Sequence, residues 1–207
     1  MLCECRKISI PIIVIISLIY LPAHAQQYRL SAFGGYSLAE TFTGSSPEDK
    51  LNSASHYGGI LEFRINHRYS LELLYQRQNT SVDLDGKPLV SKLAVSWYLA
   101  GGVNYWQLGK TRWNGLAGLY LGAGNMNNQD SNRHVTQFAA GVKGGVLYSF
   151  SPSWGFRVQA QVLTLWGTPS KVWETEGMVT NADSYNMLIQ LGFTGGLVYS
   201  FGHKPIQ

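Results

Sequence analysis

The residue types best suited to covalent chemistry lie close together between positions 130 and 136. Asp130, Ser131 and His134 supply an acid, a hydroxyl and an imidazole, and Thr136 adds a hydroxyl two residues after the histidine. A hydrolytic or acyl-transfer site needs a nucleophile, a base and a group that orients the base. Loops are rich in the same residue types, because short polar side chains stabilise turns. We therefore expect ordinary loop and rim residues here and no catalytic residue.

The histidines and cysteines show no metal-binding pattern. Cys3 and Cys5 lie at the start of the chain, and the five histidines are scattered along it. The glycine-rich stretches lie within predicted strands and do not follow a phosphate-loop pattern. With 16 Lys and Arg against 12 Asp and Glu, the net charge of +4 is too mild to indicate nucleic acid binding. We expect no metal, no cofactor and no nucleic acid partner.

Residues 1–25 have the form of a secretory signal peptide. A basic start at Arg6 and Lys7 precedes an apolar run over 8–21, and an Ala-His-Ala box ends at Ala25. This order of charge, apolar run and small residues is what signal peptidase reads, and the run is too short for a membrane helix. Cleavage after Ala25 would remove both cysteines, so we expect a secreted chain without a disulfide.

From residue 26 onward, apolar and polar residues alternate with the period of two that is typical of β-strands. Only 14% of residues are charged and 13% are aromatic, which argues against disorder. The pattern predicts eight antiparallel strands, at 27–39, 56–66, 69–82, 89–105, 113–125, 134–150, 154–166 and 184–202. Three connections are short, and the other four are mostly longer, at 40–55, 83–88, 126–133 and 167–183. Short turns at one end and longer loops at the other are typical of outer-membrane barrels.

The alternation also separates charged side chains from aromatic rings. The predicted polar faces carry Arg29, Glu62, Arg64, Glu72, Lys92, Lys143 and Arg157, and the only charge on an apolar face is Arg77. Near the short-turn end, the apolar faces carry Tyr28, Phe63, Tyr69, Tyr105, Trp113, Tyr148 with Phe150, Trp154, and Tyr199 with Phe201. A soluble lipocalin-like barrel alternates too, but a ring of Tyr and Trp at one height suits a membrane interface. We therefore predict a barrel with its apolar face towards lipid.

With these features the chain resembles the small eight-stranded outer-membrane barrels of Gram-negative bacteria, of the OmpX, OmpW and OmpA-transmembrane type. The sharpest match is the last strand, where Thr194, Gly196, Tyr199 and Phe201 fit the pattern polar, any, Gly, any, any, aromatic, any, aromatic. In that family the pattern is the signal read by the barrel-assembly machinery, so the resemblance implies the same role here. Residues 203–207 follow the last aromatic residue and are expected to form a periplasmic tail.

The predicted lumen holds an unusual set of charges. Eight strands leave an interior just wide enough for side chains. The tight turn after residue 66 sets Glu62 opposite Glu72, and two facing carboxylates repel each other unless cations lie nearby. The candidate cations are Arg64, Lys143 and Arg157. We predict a charge cluster that plugs the lumen, and the alternative is a gated or proton-sensitive narrow pore.

The sequence thus predicts an all-β chain. We expect residues 26–202 to form an eight-stranded antiparallel up-and-down transmembrane β-barrel in the cell outer membrane. We expect a non-enzymatic protein whose exposed loops 40–55 and 167–183 serve interaction or envelope integrity. The alternatives are a small gated channel and a lipid-modifying outer-membrane enzyme, since some barrels of this size modify lipids. The expected partners are outer-membrane lipid, the barrel-assembly machinery and an extracellular partner reached through the loops.

Overall fold

A computed structural model describes residues 27–38, 40–41, 50–84, 87–129, 133–167 and 187–202. The predicted signal peptide 1–25, the tail 203–207 and most of the two predicted contact loops lie outside these ranges. The described residues form ten strands: β1 (Tyr28–Ser37), β2 (Glu40–Thr41), β3 (Lys50–Leu51), β4 (Ala54–Arg64), β5 (Tyr69–Leu84), β6 (Lys87–Gln107), β7 (Trp113–Asn128), β8 (Arg133–Ser149), β9 (Trp154–Trp166) and β10 (Met187–Phe201). No helix among the described residues is long and apolar enough to cross a membrane.

Eight of these strands close into one antiparallel barrel, which confirms the predicted fold. Around the barrel the order is β5, β4, β1, β10, β9, β8, β7 and β6, and β6 pairs with β5 to complete the circle. Closure leaves no unpaired edge in the barrel wall, and lipid tolerates none because it offers no hydrogen bonds to a free backbone. Turns over 65–68, 108–112 and 150–153 join strands at the end that the sequence assigns to the periplasm.

The opposite end of the barrel differs in detail from the prediction. β5 and β6 run on to Leu84 and Lys87, so most of the predicted loop 83–88 is strand. Within the predicted loop 40–55, β2 pairs with β3, and β3 pairs with β5 through Leu51 and Val82. The β5–β6 hairpin with these two short strands therefore extends the sheet on one side of the extracellular rim.

The barrel wall is apolar outside and largely polar inside. Leu119 is 68% exposed and Leu121 61% exposed on the outer surface, whereas Glu62 and Glu72 on the inner surface are fully buried. At the periplasmic end, outward rings pack against rings of the neighbouring strand. These pairs include Tyr28 with Phe63, Trp113 with Tyr148, and Trp154 with Tyr199. An apolar wall with aromatic rings at its edge is the arrangement required of a barrel that faces lipid.

Strand β6 has the opposite phase to the one predicted. Tyr105 faces the lumen and is 5% exposed, whereas its neighbour Trp106 faces outward and is 48% exposed. Trp106 therefore replaces Tyr105 in the belt of outward-facing aromatic residues at this end of the barrel. Its indole lies across Gly115 of β7, where a Cβ atom would come within 2.3 Å of the ring. Lys92, predicted on the inner face, is exposed on the side opposite to buried Leu93.

Candidate functional site

The charge cluster begins with two facing carboxylates. Glu62 of β4 lies directly opposite Glu72 of β5, and Arg29 of β1 lies opposite Glu62 on its other side. Because the tight turn over 65–68 fixes the register of β4 against β5, both carboxylates must point to the same side of the sheet. That side is the lumen, and both side chains have 0% exposure.

Glu62 is held by four donors. Its Oε1 accepts hydrogen bonds from Arg29 Nη1 at 3.2 Å and from Ser70 Oγ at 2.8 Å. Its Oε2 accepts from Arg157 Nη2 at 2.7 Å and from the Tyr105 hydroxyl at 2.9 Å. Two donors at each oxygen compensate for the hydration that the carboxylate loses when it is buried.

Glu72 is bound by cations from the opposite wall of the barrel. Arg157 Nη1 donates to its Oε1 at 3.0 Å, so one guanidinium bridges both carboxylates. Lys143 Nζ and the Tyr120 hydroxyl both donate to its Oε2. Lys143 Nζ also lies 5.0 Å from the centre of the Tyr120 ring, a distance at which a cation is attracted to the ring face.

The cluster is defined here by eight residues: Arg29, Glu62, Ser70, Glu72, Tyr105, Tyr120, Lys143 and Arg157. Its side-chain contacts connect β1, β4, β5, β6, β7, β8 and β9. It therefore ties together seven of the eight barrel strands, all except β10. Three cations face two carboxylates, and all five side chains are at most 10% exposed. Chemically the arrangement is an ion network in which every carboxylate oxygen of Glu62 and Glu72 accepts a hydrogen bond from an arginine or lysine.

The structure brings together four of the five charges predicted for the lumen. Arg64 is the exception, since its guanidinium donates to Gln27 Oε1 at 2.6 Å and to the His67 carbonyl at 3.2 Å. Arg29 takes the place predicted for Arg64 beside Glu62. Alternation alone does not identify the two tyrosines of the cluster: it places Tyr105 on the outer face, and Tyr120 is absent from the predicted set.

A second polar layer lies on the extracellular side of the cluster. Buried His56 forms hydrogen bonds through Nδ1 with Ser37 Oγ at 2.8 Å and through Nε2 with Thr194 Oγ1 at 3.2 Å. Gln161 Nε2 donates to Gln76 Oε1 at 2.5 Å. Further buried lumen amides belong to Gln78, Gln137, Gln159 and Gln190. Apolar side chains, with Trp97 the largest, fill the space beside them.

The predicted assembly-signal residues alternate across the wall of β10. Thr194 is buried in the lumen, whereas Tyr199 and Phe201 are each 41% exposed on the outer face. Gly196 lies against β1, where a Cβ atom would come within 2.4 Å of the Ala32 carbonyl oxygen. The geometry is compatible with the predicted role, which concerns a partner and stays a prediction.

Of the four residues that could do covalent chemistry, two lie in the described part of the chain. His134 and Thr136 both lie exposed on the outer face of β8. The Thr136 hydroxyl accepts a hydrogen bond from Asn125 Nδ2 at 2.9 Å. Asp130 and Ser131 lie outside the described residues. Across the described ranges, no group of three His, Cys, Asp or Glu is arranged to hold a metal ion.

Comparison with known proteins gives a fold and no closer relationship. No family model matches the chain, and no curated protein matches its sequence. Among solved structures, Neisserial surface protein A (NspA) superposes with a TM-score of 0.60 at 14% identity, over 86% of this chain and 99% of that one. OprG of Pseudomonas aeruginosa superposes with a TM-score of 0.51 at 11% identity, over 86% of this chain and 96% of that one. The chain has the fold of the small eight-stranded outer-membrane β-barrels.

Proposed function

We propose that this protein is a closed, non-enzymatic outer-membrane barrel that acts through its extracellular surface and not through a pore. The observation that carries the proposal is the cluster across the lumen. Arg157 bridges Glu62 and Glu72, and all three side chains are at most 3% exposed. Ions crossing this level would have to break charge-assisted hydrogen bonds that have no solvent to replace them.

The extracellular end offers surface for such a role. A hollow of about 410 Å³ opens where β5, β6 and β7 approach the rim, and its lining is Ser53, Asn79, Thr80, Ser81, Lys92, Leu93 and Gln129. Hydroxyls, amides and one ammonium group suit a polar or anionic partner, such as a carbohydrate or a lipid headgroup. The predicted contact loops 40–55 and 167–183 extend from the same end of the barrel.

Conductance in planar bilayers tests the closed lumen. We expect the purified protein, inserted in its heat-modifiable form, to give no steady current. High steady conductance in the unmodified protein would overturn the proposal and favour the gated channel. A gate predicts further that Glu62→Gln raises the current with little change in stability, whereas a plug predicts a large loss of stability.

Two further measurements address the surface role and the enzyme alternative. Removing 168–183 should abolish capture of a partner from an outer-membrane extract, while the unboiled protein keeps its gel mobility. Retained capture would exclude that loop as the contact surface. Lipid A from cells with and without the gene should have identical mass spectra, and a change in acylation would instead support a lipid-modifying enzyme.

A further inference from the structure

A small cavity lies beside the cluster on its extracellular side. Its volume is about 10 Å³, and its lining is Ser31, Phe33, Ile60, Arg157, Gln159, Thr194 and Gly196. A cavity of roughly this size holds one water molecule when it offers two to four polar partners. Gly196 also allows β10 to lie close to β1 beside the cavity, because a Cβ atom there would come within 2.4 Å of the Ala32 carbonyl oxygen.

Polar atoms of three residues that line the cavity have no hydrogen-bond partner among the described residues. They are Ser31 Oγ, Arg157 Nε, and both Oε1 and Nε2 of Gln159. The three residues are at most 3% exposed, so bulk solvent does not reach them. A buried polar group left unpaired costs about 1–3 kcal/mol, and native structures normally pair such groups with protein or ordered water.

The chemistry of these atoms matches one water molecule. Arg157 Nε can only donate, whereas Ser31 Oγ and the Gln159 amide can both donate and accept. A water molecule donates two hydrogen bonds and accepts two, so it can form one hydrogen bond with each of the three residues. An apolar occupant would leave the same atoms unpaired, and the volume is too small for a larger polar molecule.

Further buried polar atoms without hydrogen-bond partners among the described residues lie along the lumen towards the extracellular end. Both amide atoms of Gln78 and Gln190 lack partners among the described residues, as do Gln76 Nε2 and Gln161 Oε1. These side chains belong to β5, β9 and β10 and lie beyond the cluster. One amide pair, Gln76 with Gln161, cannot satisfy a layer of this size.

We propose that a buried water molecule occupies the cavity and bridges Ser31, Gln159 and Arg157, and that further ordered waters hydrate the glutamine layer beyond it. The ligand of this site is water. The bound water holds the Nε side of the Arg157 guanidinium, while the two carboxylates hold its Nη atoms. Arg157 therefore separates a hydrated upper lumen from the ion network below, a feature that the closed-barrel proposal does not require.

Water-edited solid-state NMR of the labelled protein in deuterated lipid vesicles tests the site. We expect magnetisation from water to reach the side-chain amide of Gln159, whose signal is assigned by its loss in Gln159→Leu. The exposed side-chain amide of Gln107 is the positive control. The backbone amide of lipid-facing Leu119 is the dry reference. A Gln159 signal no stronger than that of Leu119 would overturn the proposal.

Substitution at Ser31 locates the water. Ser31→Val fills the cavity and removes one partner, so the Gln159 transfer should disappear, whereas Ser55→Val on the outer face should leave it unchanged. If Ser31→Val does not fold, Ser31→Ala removes only the hydroxyl and should weaken the transfer. Transfer that is indifferent to both Ser31 variants would refute the bridging site. Bilayer conductance, measured separately, decides the closed-barrel proposal, so either can fail alone.

Discussion

Glu62 and Glu72 face each other across β4 and β5 with both carboxylates fully buried, and a single guanidinium from the far wall bridges them. Two carboxylates at directly opposed positions would repel each other. Here Arg157 from β9 converts that repulsion into a tie across the lumen, and Arg29 and Lys143 bind the outer sides of the pair. The buried acids are therefore neutralised by an interaction that spans the lumen.

The first prediction concerns the carboxylates. Glu62→Gln keeps the shape of the side chain but leaves Arg29 and Arg157 short of negative charge. Breaking a buried ion pair from one side costs about 3–5 kcal/mol, so we expect a loss of that order in the free energy of unfolding. Urea unfolding in lipid vesicles, followed by the mobility of unboiled protein on gels, measures it.

The double variant provides the control for this prediction. If the effect comes from uncompensated charge, Arg29→Gln combined with Glu62→Gln should be less destabilised than the sum of the two single variants. Strict additivity of the two variants would show that Arg29 and Glu62 do not interact.

The second prediction concerns the tyrosines. Tyr105→Phe and Tyr120→Phe each remove a hydroxyl that donates to a buried carboxylate. Hydrogen bonds to charged groups contribute about 1.5–3 kcal/mol, and we expect each variant to lose about that much stability. Tyr98→Phe is the matched control, since its ring is 55% exposed on the outer face. Equal effects at Tyr98 and Tyr105 would contradict the inward placement of Tyr105.

The third prediction separates two arginines that the sequence alone treats alike. Arg157→Gln removes two ion pairs from the lumen and should cost about 3 kcal/mol or more. Arg64→Gln removes contacts to Gln27 and to the His67 carbonyl at the periplasmic end of the barrel. It should lower the free energy of unfolding by about 1 kcal/mol or less. Comparison of the two urea midpoints measures the difference. A larger loss of stability for Arg64→Gln than for Arg157→Gln would indicate that Arg64 belongs to the cluster.

Local pairing explains which parts of the cluster the sequence could predict. The turn over 65–68 sets the register of β4 and β5, so Glu62 and Glu72 follow from counting residues. The inward phase of Lys143 and Arg157 follows from clear alternation along β8 and β9. Arg29 depends instead on the register of β1 against β4, which no tight turn sets, because β1 ends at Ser37 and β4 begins only at Ala54. No local pattern reports that contact.

Strand β6 shows why alternation fails when both faces are apolar. Inward Trp97 and Leu99 are as hydrophobic as outward Tyr98 and Trp106. Hydrophobicity therefore does not show which of the two alternating faces points into the lumen. The phase is decided by the register with β5, where Glu72 lies opposite Gly101 and Tyr75 lies opposite Tyr98. The glycine leaves room for the Tyr120 ring, since a Cβ at Gly101 would come within 2.6 Å of Tyr120 Cδ1.

The fourth prediction tests the phase of β6 directly. Trp97 is fully buried in the lumen, whereas Trp106 is 48% exposed on the outer wall. Trp97→Ala should cost about 3–5 kcal/mol because it leaves a cavity in a packed interior, and Trp106→Ala should cost much less. Lipids brominated on their acyl chains should quench Trp106 and not Trp97. The contribution of each indole is found from the fluorescence that its substitution by Phe removes. Stronger quenching of Trp97 than of Trp106 would contradict the inward placement of Trp97.

The fifth prediction separates the stability of the last strand from its expected role in assembly. The Phe201 ring stacks on Tyr28 at 5.7 Å and lies 6.1 Å from the Tyr199 ring. Loss of aromatic pairs of this kind costs about 0.5–1.5 kcal/mol each, so Phe201→Ala should lower stability only modestly. If Phe201 is also read by the assembly machinery, the yield of folded barrel in cells should fall far more than that loss explains. Spontaneous folding into vesicles should hardly change.

Trp154→Ala is the control, because it removes a comparable ring contact, to Tyr199 at 4.8 Å, outside the signal pattern. Equal losses of cellular yield for the two variants would assign Phe201 to stability alone.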